Sequence, residues 1–258
     1  MALVYNLDFI SDKSKKSSIK KALSILERSF YKSLEESSFF LDPFEQDVLE
    51  SIARTNNIEM VFVGGNENAE RKVFIANPYY TPVDPSNYIR VLRFNHQNLS
   101  HPDVLGALMS LNIDREVIGD IIIDGNTCEF TVLKNDADFI RFNLRKIKRE
   151  PIDIKIKKDT NLQIPMGEYE EYGGFISSLR LDNVVSELTN SSRTKAKDII
   201  KNKLVKVNYE IIDDPSKIVP DDSMISIRHE GRFIFDGVTG KSKKGNHHIS
   251  YRKLVWFM

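Results

Sequence analysis

Six basic residues fall within fourteen positions of the sequence, between residues 193 and 206. They are Arg193, Lys195, Lys197, Lys201, Lys203 and Lys206. Such side chains bind phosphate groups by charge and release counterions from a polyanion. The chain as a whole has 37 Lys and Arg against 37 Asp and Glu, so its net charge is zero and does not attract a polyanion. Attraction of a polyanion must therefore come from local charge.

The charge is unevenly distributed along the 258 residues. Residues 174–258 contain 15 Lys and Arg against 10 Asp and Glu, a net charge of +5. Residues 1–173 contain the other 22 basic residues against 27 acidic ones, a net charge of −5. The basic end is therefore the candidate surface for a polyanionic partner.

Two short helices are predicted to carry the basic cluster. The first has one apolar face and either Ser177 or Ser178 as N-cap. Its apolar residues are Leu181, Val184, Val185 and Leu188. The second begins at Ser191 or Ser192 and buries Ala196, Ile199 and Ile200. Beside that stripe, the spacing i, i+4 and i+8 predicts an exposed ridge of Arg193, Lys197 and Lys201, where charge reversal should leave folding intact.

Residues 1–82 read as a small α+β domain. Ile19, Ala22, Leu23, Leu26 and Phe30 recur at helical spacing. A second helix is predicted to start at Asp42, with Pro43 in its first turn and Glu45 closing a capping box. The runs IEMVFVGG and ERKVFIANP then predict two strands joined across a glycine pair.

Residues 83–160 read as a domain of order βαββαβ, with a hairpin turning at Asp124-Gly125. That order is typical of ferredoxin-like and RNA-recognition folds. The strands lack the aromatic pattern with which RNA-recognition motifs stack bases. The run RFNLRKIKRE, residues 141–150, either contacts phosphates or forms a solvated surface. A polar linker is predicted before the third domain, residues 174–258, in which short strands follow the two helices.

Four spaced elements in that third domain resemble the alpha-L RNA-binding domain of a small-subunit ribosomal protein. They are Arg180-Leu181-Asp182, Ser192-Arg193, Val205-Lys206-Val207-Asn208 and the segment DDSMISIRHEGRF. Lys203 and Tyr209 stand where that family favours glycine. Asn202 is therefore expected to take the left-handed helix cap. Arg180 at a helix start is poorly placed for the helix dipole, so either an external anion or Asp182 is expected to compensate it, and Asp182 is assigned the structural role.

A wider resemblance extends over nearly everything after about residue 39. FLDPFEQDVL, GGNENAERK, HPDVLGALMSLNIDREVIGDI, SSLRLDNVV and GKSKKGNHHISY, in this order, resemble the YlmH family of bacterial RNA-binding proteins. Pro102 departs from the usual basic residue of that family. The resemblance implies a non-enzymatic protein that binds ribosomal RNA of the large subunit, tRNA or both, in quality control of stalled peptidyl-tRNA complexes.

The RNA-binding surface is predicted to comprise cations of the third domain and one helix cap. These residues are Arg180, Ser192, Arg193, Lys195, Lys197, Lys201, Lys206, Arg228, Arg232, Lys241, Lys243 and Lys244. The basic tail is expected to extend the same surface. The expected partners are ribosomal RNA, the large ribosomal subunit and tRNA, and the protein is expected to be a cytoplasmic monomer with no membrane span.

Catalytic, cofactor and metal sites are not predicted. GVTGKS has Phe235 where a phosphate loop requires glycine. No Cys or His cluster has zinc spacing, and Cys128 is expected to be buried. His96 or His101 beside Asp103 is more typical of helix capping than of acid-base chemistry. A small-molecule substrate is not expected either. The rival interpretation is an RNA-modifying enzyme of pseudouridine synthase type with an appended RNA-binding domain.

Overall fold

The computed structural model describes residues 3–10, 12–165, 167–243 and 245–255. The chain divides into two compact units, residues 1–165 and 166–258. The α+β class expected from the sequence is confirmed. The predicted boundary at residue 82 falls inside the first unit, so a separate domain there stays a prediction. No described helix is long and apolar enough to cross a membrane.

The first unit begins with two helices and a small sheet. Its elements are α1 (Lys13–Lys32), β1 (Glu36–Ser37), α2 (Pro43–Thr55), β2 (Met60–Val63) and β3 (Val73–Ala76). The strands form an antiparallel sheet of order β1-β3-β2. The capping box at Asp42 is present as predicted, since the Asp42 side chain accepts from the Glu45 N–H and Glu45 accepts from the Asp42 N–H.

Helix α1 buries the predicted stripe with one exception. Ile19, Ala22, Leu23 and Leu26 are buried, whereas Phe30 is exposed and Ser29 takes the buried position. The Ser29 hydroxyl donates to the Leu34 carbonyl, so a buried serine is tolerated at the end of the helix. The prediction for Phe30 was wrong because Phe30 lies in the last turn of α1, where its ring packs edge-on against the neighbouring Tyr31, with 5.5 Å between the ring centres.

The rest of the first unit is the predicted βαββαβ arrangement. Its elements are β4 (Ile89–Asn95), α3 (His101–Met109), β5 (Ile118–Asp124), β6 (Thr127–Leu133), α4 (Ala137–Asn143), β7 (Lys146–Ile147), β8 (Glu150–Pro151) and β9 (Lys155–Ile156). Short 3₁₀ turns lie at Pro85–Asn87, Arg115–Val117 and Lys134–Asp136. The antiparallel sheet has the order β5-β6-β4-β9, which is the ferredoxin-like order.

One face of this sheet packs against α3 and α4. On the other face Ile89 joins Phe40 and Ile75 in a buried cluster with β3. Residues 157–163 lie across the same face, where the buried carboxylate of Glu129 accepts from Lys157 Nζ at 3.1 Å and from the Gln163 N–H at 3.1 Å. The face that an RNA-recognition motif uses for stacking is therefore largely occupied.

The second unit packs two helices on a long sheet. Its elements are β10 (Glu168–Ile176), α5 (Leu181–Leu188), α6 (Arg193–Lys201), β11 (Val205–Val207), β12 (Glu210–Ile211), β13 (Ser223–Ile227), β14 (Gly231–Lys241) and β15 (His247–Val255). The strand order is β10-β15-β14-β13-β11-β12. Its core joins the apolar stripes of α5 and α6 to inward residues of the sheet such as Ile225, Phe233 and Phe235.

Strand β10 corrects the sequence analysis, which read these residues as linker. It pairs antiparallel with β15 over nine residue pairs, from Glu168 opposite Val255 to Ile176 opposite His247. The strand was missed because its residues are mostly polar or glycine and only Gly174 and Ile176 are buried. An edge strand with one partner shows little of the apolar alternation on which strand prediction depends.

Candidate nucleic-acid interface

The two helices predicted to carry the basic cluster are present, and one of their caps differs. Ser192 caps α6 by accepting from the Lys195 N–H at 3.3 Å. Helix α5 has Arg180 at its N-cap, so neither Ser177 nor Ser178 caps it. Both serines instead bind Asn183, whose side-chain amide donates to Ser178 Oγ at 2.7 Å and to Ser177 Oγ at 3.1 Å.

Asp182 is the centre of the interface between α5 and α6. Its side chain has no solvent exposure. Arg180 donates to the two carboxylate oxygens through Nε and Nη2, both at 3.2 Å. Arg193 donates through Nε at 3.1 Å and Nη2 at 3.2 Å, and Lys197 Nζ lies 3.9 Å away. One buried carboxylate therefore holds two arginines, one at the start of each helix, with the Lys197 ammonium within ion-pair distance, which supports the structural role assigned to it.

The electrostatics of this cluster favour the ionised carboxylate. Burial alone would raise the pKa of Asp182, but the hydrogen bonds from Arg180 and Arg193 outweigh it, so the pKa lies below its ordinary value. Three cations against one anion still leave an excess positive charge at the surface. Arg193 is exposed, as the helical spacing predicts, but its guanidinium is engaged with Asp182, a partner that the spacing does not show.

Lys195 and Lys201 occupy the solvent side of α6. Both are exposed, and among the described residues neither has a carboxylate within ion-pair distance. Their ammonium groups are thus available to an external anion. Ala196 and Ile200 on the opposite side of the helix are fully buried, which fixes the direction in which the lysines point.

The turn after α6 differs from the expectation for Asn202. Asn202 has φ −78°, and Lys203 takes the left-handed conformation with φ 59°. The position where the related domains favour glycine is therefore the one that needs a positive φ, and lysine adopts it here. Asn208 and Tyr209, with φ 47° and 67°, form the next turn in the same region of backbone space.

The other predicted cations do not share this surface. Val205 and Val207 point into the core beneath the helices, so Lys206 between them lies on the opposite face of the sheet. Arg232 lies on that same outer face, since both Lys206 and Arg232 pair with Ser226. Arg228 is exposed at the end of β13, where its N–H donates to the Leu204 carbonyl.

The basic tail forms the far end of the β14–β15 hairpin. Lys241 and Lys243 are exposed there, and Lys244 lies outside the described residues. Strand β10 adds three acids, of which Glu170 lies opposite Lys253 and Glu171 opposite Arg252. Residues 166–258 therefore hold 15 Lys and Arg against 13 Asp and Glu, a net charge of +2 rather than the +5 counted from residue 174.

The residues considered for acid-base chemistry have structural partners. His96 Nδ1 accepts from the Leu99 N–H at 3.2 Å. Asp103 closes a capping box with Ser100, and hydrogen bonds from Lys148 and Ser100 lower the pKa of Asp103 to about 2. Burial raises the pKa of the Cys128 thiol to about 12. Over the described ranges, no three His, Cys, Asp or Glu residues are grouped to hold a metal ion.

Comparison with known proteins agrees with this architecture. The family described as a putative RNA-binding domain in YlmH matches residues 92–161, and the S4 domain matches residues 179–225. A Bacillus subtilis protein, ribosome-associated protein quality control protein P2, is 32% identical over an alignment of 220 residues that covers 83% of this chain and 85% of that protein. The chain belongs to the YlmH family. The resemblance drawn from the sequence is thereby confirmed, including its C-terminal RNA-binding domain.

One solved structure can also be compared with this chain. The structure described as cell division protein ylmH from Streptococcus pneumoniae matches with a TM-score of 0.53 and 16% identity, covering 60% of this chain and 95% of that one. At this identity the likeness supports the fold alone. The match of residues 92–161 coincides with the ferredoxin-like part of the first unit.

Two aromatic residues of α4 were missed as candidates. Phe139 and Phe142 are 46% and 56% exposed, next to the basic run that begins at Arg141. The signal was present in the sequence, because Ala137, Ile140 and Leu144 form the buried stripe of this segment and exclude both rings from it. Exposed rings beside cations differ from an ordinary solvated helix face.

Proposed function

We propose that this YlmH-family protein binds ribosomal RNA of the large subunit, tRNA or both through the outer side of α6, as a non-enzymatic factor of ribosome-associated quality control. The supporting observation is the fixed set of cations on α5 and α6. Asp182 holds Arg180, Arg193 and Lys197 in place, and Lys195 and Lys201 extend from the same helix into solvent. The Bacillus subtilis relative is named for ribosome association, which supports the proposed setting in the cytoplasm.

The mode of binding follows from the side chains available. Lysine and arginine on a helix edge bind phosphates and position the protein on folded RNA, but they do not read bases. The arginines held by Asp182 keep a fixed positive potential beside the two lysines that extend into solvent. Affinity should therefore depend on RNA shape and fall steeply with salt, since each phosphate contact releases counterions.

Seven of the twelve predicted residues divide into three groups under this proposal. Arg180, Arg193 and Lys197 position the cluster, and Lys195 and Lys201 contact phosphates. Lys206 and Arg232, on the opposite face of the sheet, cannot share one flat RNA contact with α6 within this unit. They are assigned to a separate contact with the folded RNA.

Charge reversal of the two exposed lysines tests the proposal. The full chain with Lys195→Glu and Lys201→Glu is mixed with purified large ribosomal subunits, and co-sedimentation is measured over a salt series. Losing two phosphate contacts should weaken binding and flatten the slope of log affinity against log salt by up to about 1.8. Thermal unfolding should match the wild type, because neither lysine contacts a carboxylate in the described structure.

The matched control reverses two exposed lysines of α1, Lys13→Glu and Lys20→Glu. This variant has the same total charge as the test variant, so a difference between them reports location rather than net charge. Equal co-sedimentation of the two variants at every salt concentration would refute the assignment to α6. A base modification in ribosomal RNA that depends on the purified protein would refute the non-enzymatic part.

A further inference from the structure

The segment from Phe139 to Arg149 has an unusual combination of exposed rings and uncompensated positive charge. It contains Arg141, Arg145, Lys146, Lys148 and Arg149 and no acidic residue. Phe139 and Phe142 are 46% and 56% exposed. Two exposed rings on one short helix, together with the neighbouring cations, mark a candidate binding surface.

Phe142 is the best-defined member of the set. The Arg141 guanidinium carbon lies 4.4 Å from the centre of the Phe142 ring. Arg145 Nε donates to the Phe142 carbonyl at 3.0 Å. The Arg141 guanidinium over one face holds the ring in place. Arg145 places a second positive charge next to the Phe142 backbone.

The charge left after internal pairing remains positive. Arg141 pairs with Asp138 at 3.1 Å, and Lys148 pairs with Asp103 at 2.7 Å. Arg145, Lys146 and Arg149 are exposed, and within the described ranges they have no carboxylate partner. Three cations without a carboxylate partner, of which Arg145 contacts Phe142 and the other two follow in the next four residues, complement a polyanion that also has flat apolar surfaces.

A groove lies at the turn between β7 and β8, which carries two residues of the same basic run. The turn between β7 and β8 forms one side of it through Lys148 and Arg149, and the loop at Gln97 and Asn98 forms the other. Its volume is about 710 Å³ and it is open to solvent. The Gln97 N–H donates to Glu150 Oε1 at 2.6 Å, which joins the two sides. Side-chain amides and cations in one groove suit the polar edges of bases and their phosphates.

We propose that α4 and the β7–β8 hairpin bind unpaired RNA nucleotides, with a base stacked on Phe142 and phosphates bound by Arg145, Lys146 and Arg149. This inference rests on the proposed RNA-binding function and assigns a second, chemically different contact to the first unit. Bases in a duplex are already stacked and cannot reach an exposed ring, so the partner is a loop, bulge or end. The sheet face is occupied, and α4 combines a ring held by a cation with neighbouring exposed cations that have no carboxylate partner in the described structure.

Two RNA probes separate stacking from charge. The first is an unpaired 12-nucleotide RNA that contains 2-aminopurine, and the second is a blunt 12-base-pair RNA duplex. The full chain is titrated with each probe, in the wild type and in the Lys195→Glu, Lys201→Glu background. Phe142→Ala should weaken binding of the unpaired RNA about tenfold, the typical effect of losing one base–aromatic stack. Binding of the duplex should change less than twofold.

Salt dependence gives each side chain its own signature. Phe142→Ala should leave the slope of log affinity against log salt unchanged, because a stack releases no counterions. Arg145→Ala should flatten that slope by about 0.7 for the unpaired RNA. Quenching of 2-aminopurine on binding should disappear in Phe142→Ala and return in Phe142→Trp, which restores a stacking surface.

Tyr31→Ala is the control, because Tyr31 is also 56% exposed and lies on α1 in the same unit. Equal affinity of Phe142→Ala and Tyr31→Ala for the unpaired RNA would refute this inference. If α6-dependent binding of large subunits persists in that case, the proposed function stands and only the second contact fails. Wild-type protein that binds no RNA would refute the proposed function itself.

A protein partner would give a different pattern. Phe142→Ala that keeps its affinity for both RNA probes but loses co-sedimentation with large subunits would assign the rings to a ribosomal protein, and this would overturn the RNA assignment. Equal weakening toward both probes would show that the ring matters only through the local fold, which thermal unfolding of the variant would reveal, and it would also overturn the assignment.

Discussion

Reversing the charge of Arg193 should destabilise the second unit, although its position on α6 suggests an ordinary surface residue. Arg193 makes two charge-assisted hydrogen bonds, at 3.1 and 3.2 Å, to a carboxylate that has no solvent exposure. Arg193→Glu removes both bonds and adds a negative charge beside Asp182. Lys195→Glu, two residues along the same helix, makes the same change of charge without touching that carboxylate.

The magnitude can be worked out from these contacts. Hydrogen bonds to a charged group contribute about 1.5–3 kcal/mol, and we take about 1–2 kcal/mol here because the Arg193 side chain is 47% exposed. The Glu side chain would turn toward solvent, so repulsion at about 7 Å and an effective dielectric of about 20 adds roughly 2 kcal/mol before screening by water and salt. The expected total is about 2–4 kcal/mol.

Thermal unfolding of the full-length variants measures this effect. For a unit of this size, 1 kcal/mol lowers the midpoint by about 4–8 °C, so Arg193→Glu should lower the transition of the second unit by at least about 8 °C. Lys195→Glu should stay within about 0.5 kcal/mol of the wild type. Hydrogen exchange of the α5 and α6 amides would place the loss in this unit.

Asp182→Asn provides the second test of the same reasoning. With the buried negative charge removed, Arg193→Glu should cost less than it does in the wild type, and the double-mutant cycle should show coupling between the two positions. Equal midpoints for Arg193→Glu and Lys195→Glu, or no coupling in the cycle, would refute the role given to Asp182. Loss of ribosome binding in Arg193→Glu could then be attributed to a direct contact.

Three further predictions concern stability. Because the pKa of Asp182 is lowered in the folded protein, its ion pairs contribute fully to stability above the unfolded pKa of about 3.9. That contribution is lost as pH falls through the lower folded pKa, so acid should lower the denaturant midpoint less for Asp182→Asn than for the wild type. Gly65→Ala should destabilise the first unit by about 1 kcal/mol or more in urea titrations, because Gly65 has φ +89° and a Cβ there would lie 2.9 Å from the Thr160 carbonyl oxygen. Glu129→Gln removes the charge of the buried carboxylate that holds Lys157, so residues 157–163 should detach from the sheet face. Limited proteolysis would detect this as new cleavage near Lys157.

Local signals in the sequence were sufficient to predict most of the helices and strands. Asp42, Pro43 and Glu45 specify the start of α2 through backbone chemistry that needs no distant partner. The order of elements between Ile89 and Ile156 likewise follows from hydrophobic periodicity and one glycine turn, and the strand order agrees with it. These features are encoded within a few residues of where they appear.

Features that depend on distant residues could not be read in this way. Strand β10 exists because β15, about eighty residues later, pairs with it. Arg193 looks exposed by helical spacing, but a buried aspartate eleven residues earlier engages it. The opposite placement of Lys206 and α6 is also a property of the folded sheet. A cluster of basic residues in a sequence therefore does not by itself predict one continuous basic surface.

Each proposed contact uses a surface that remains exposed after the sheet of its unit has been covered. In the first unit Phe40, Ile89 and the segment held by Glu129 occupy the sheet face, so the ferredoxin-like order does not imply stacking on that sheet. In the second unit the inner sheet face is covered by α5 and α6, whose solvent side carries cations but no exposed large aromatic residue among those described. Phosphate contacts therefore suit α6, and base stacking suits α4, where Phe142 is exposed. A chain that positions itself by charge in one unit and stacks an unpaired base in the other would recognise an RNA by both its shape and its unpaired nucleotides.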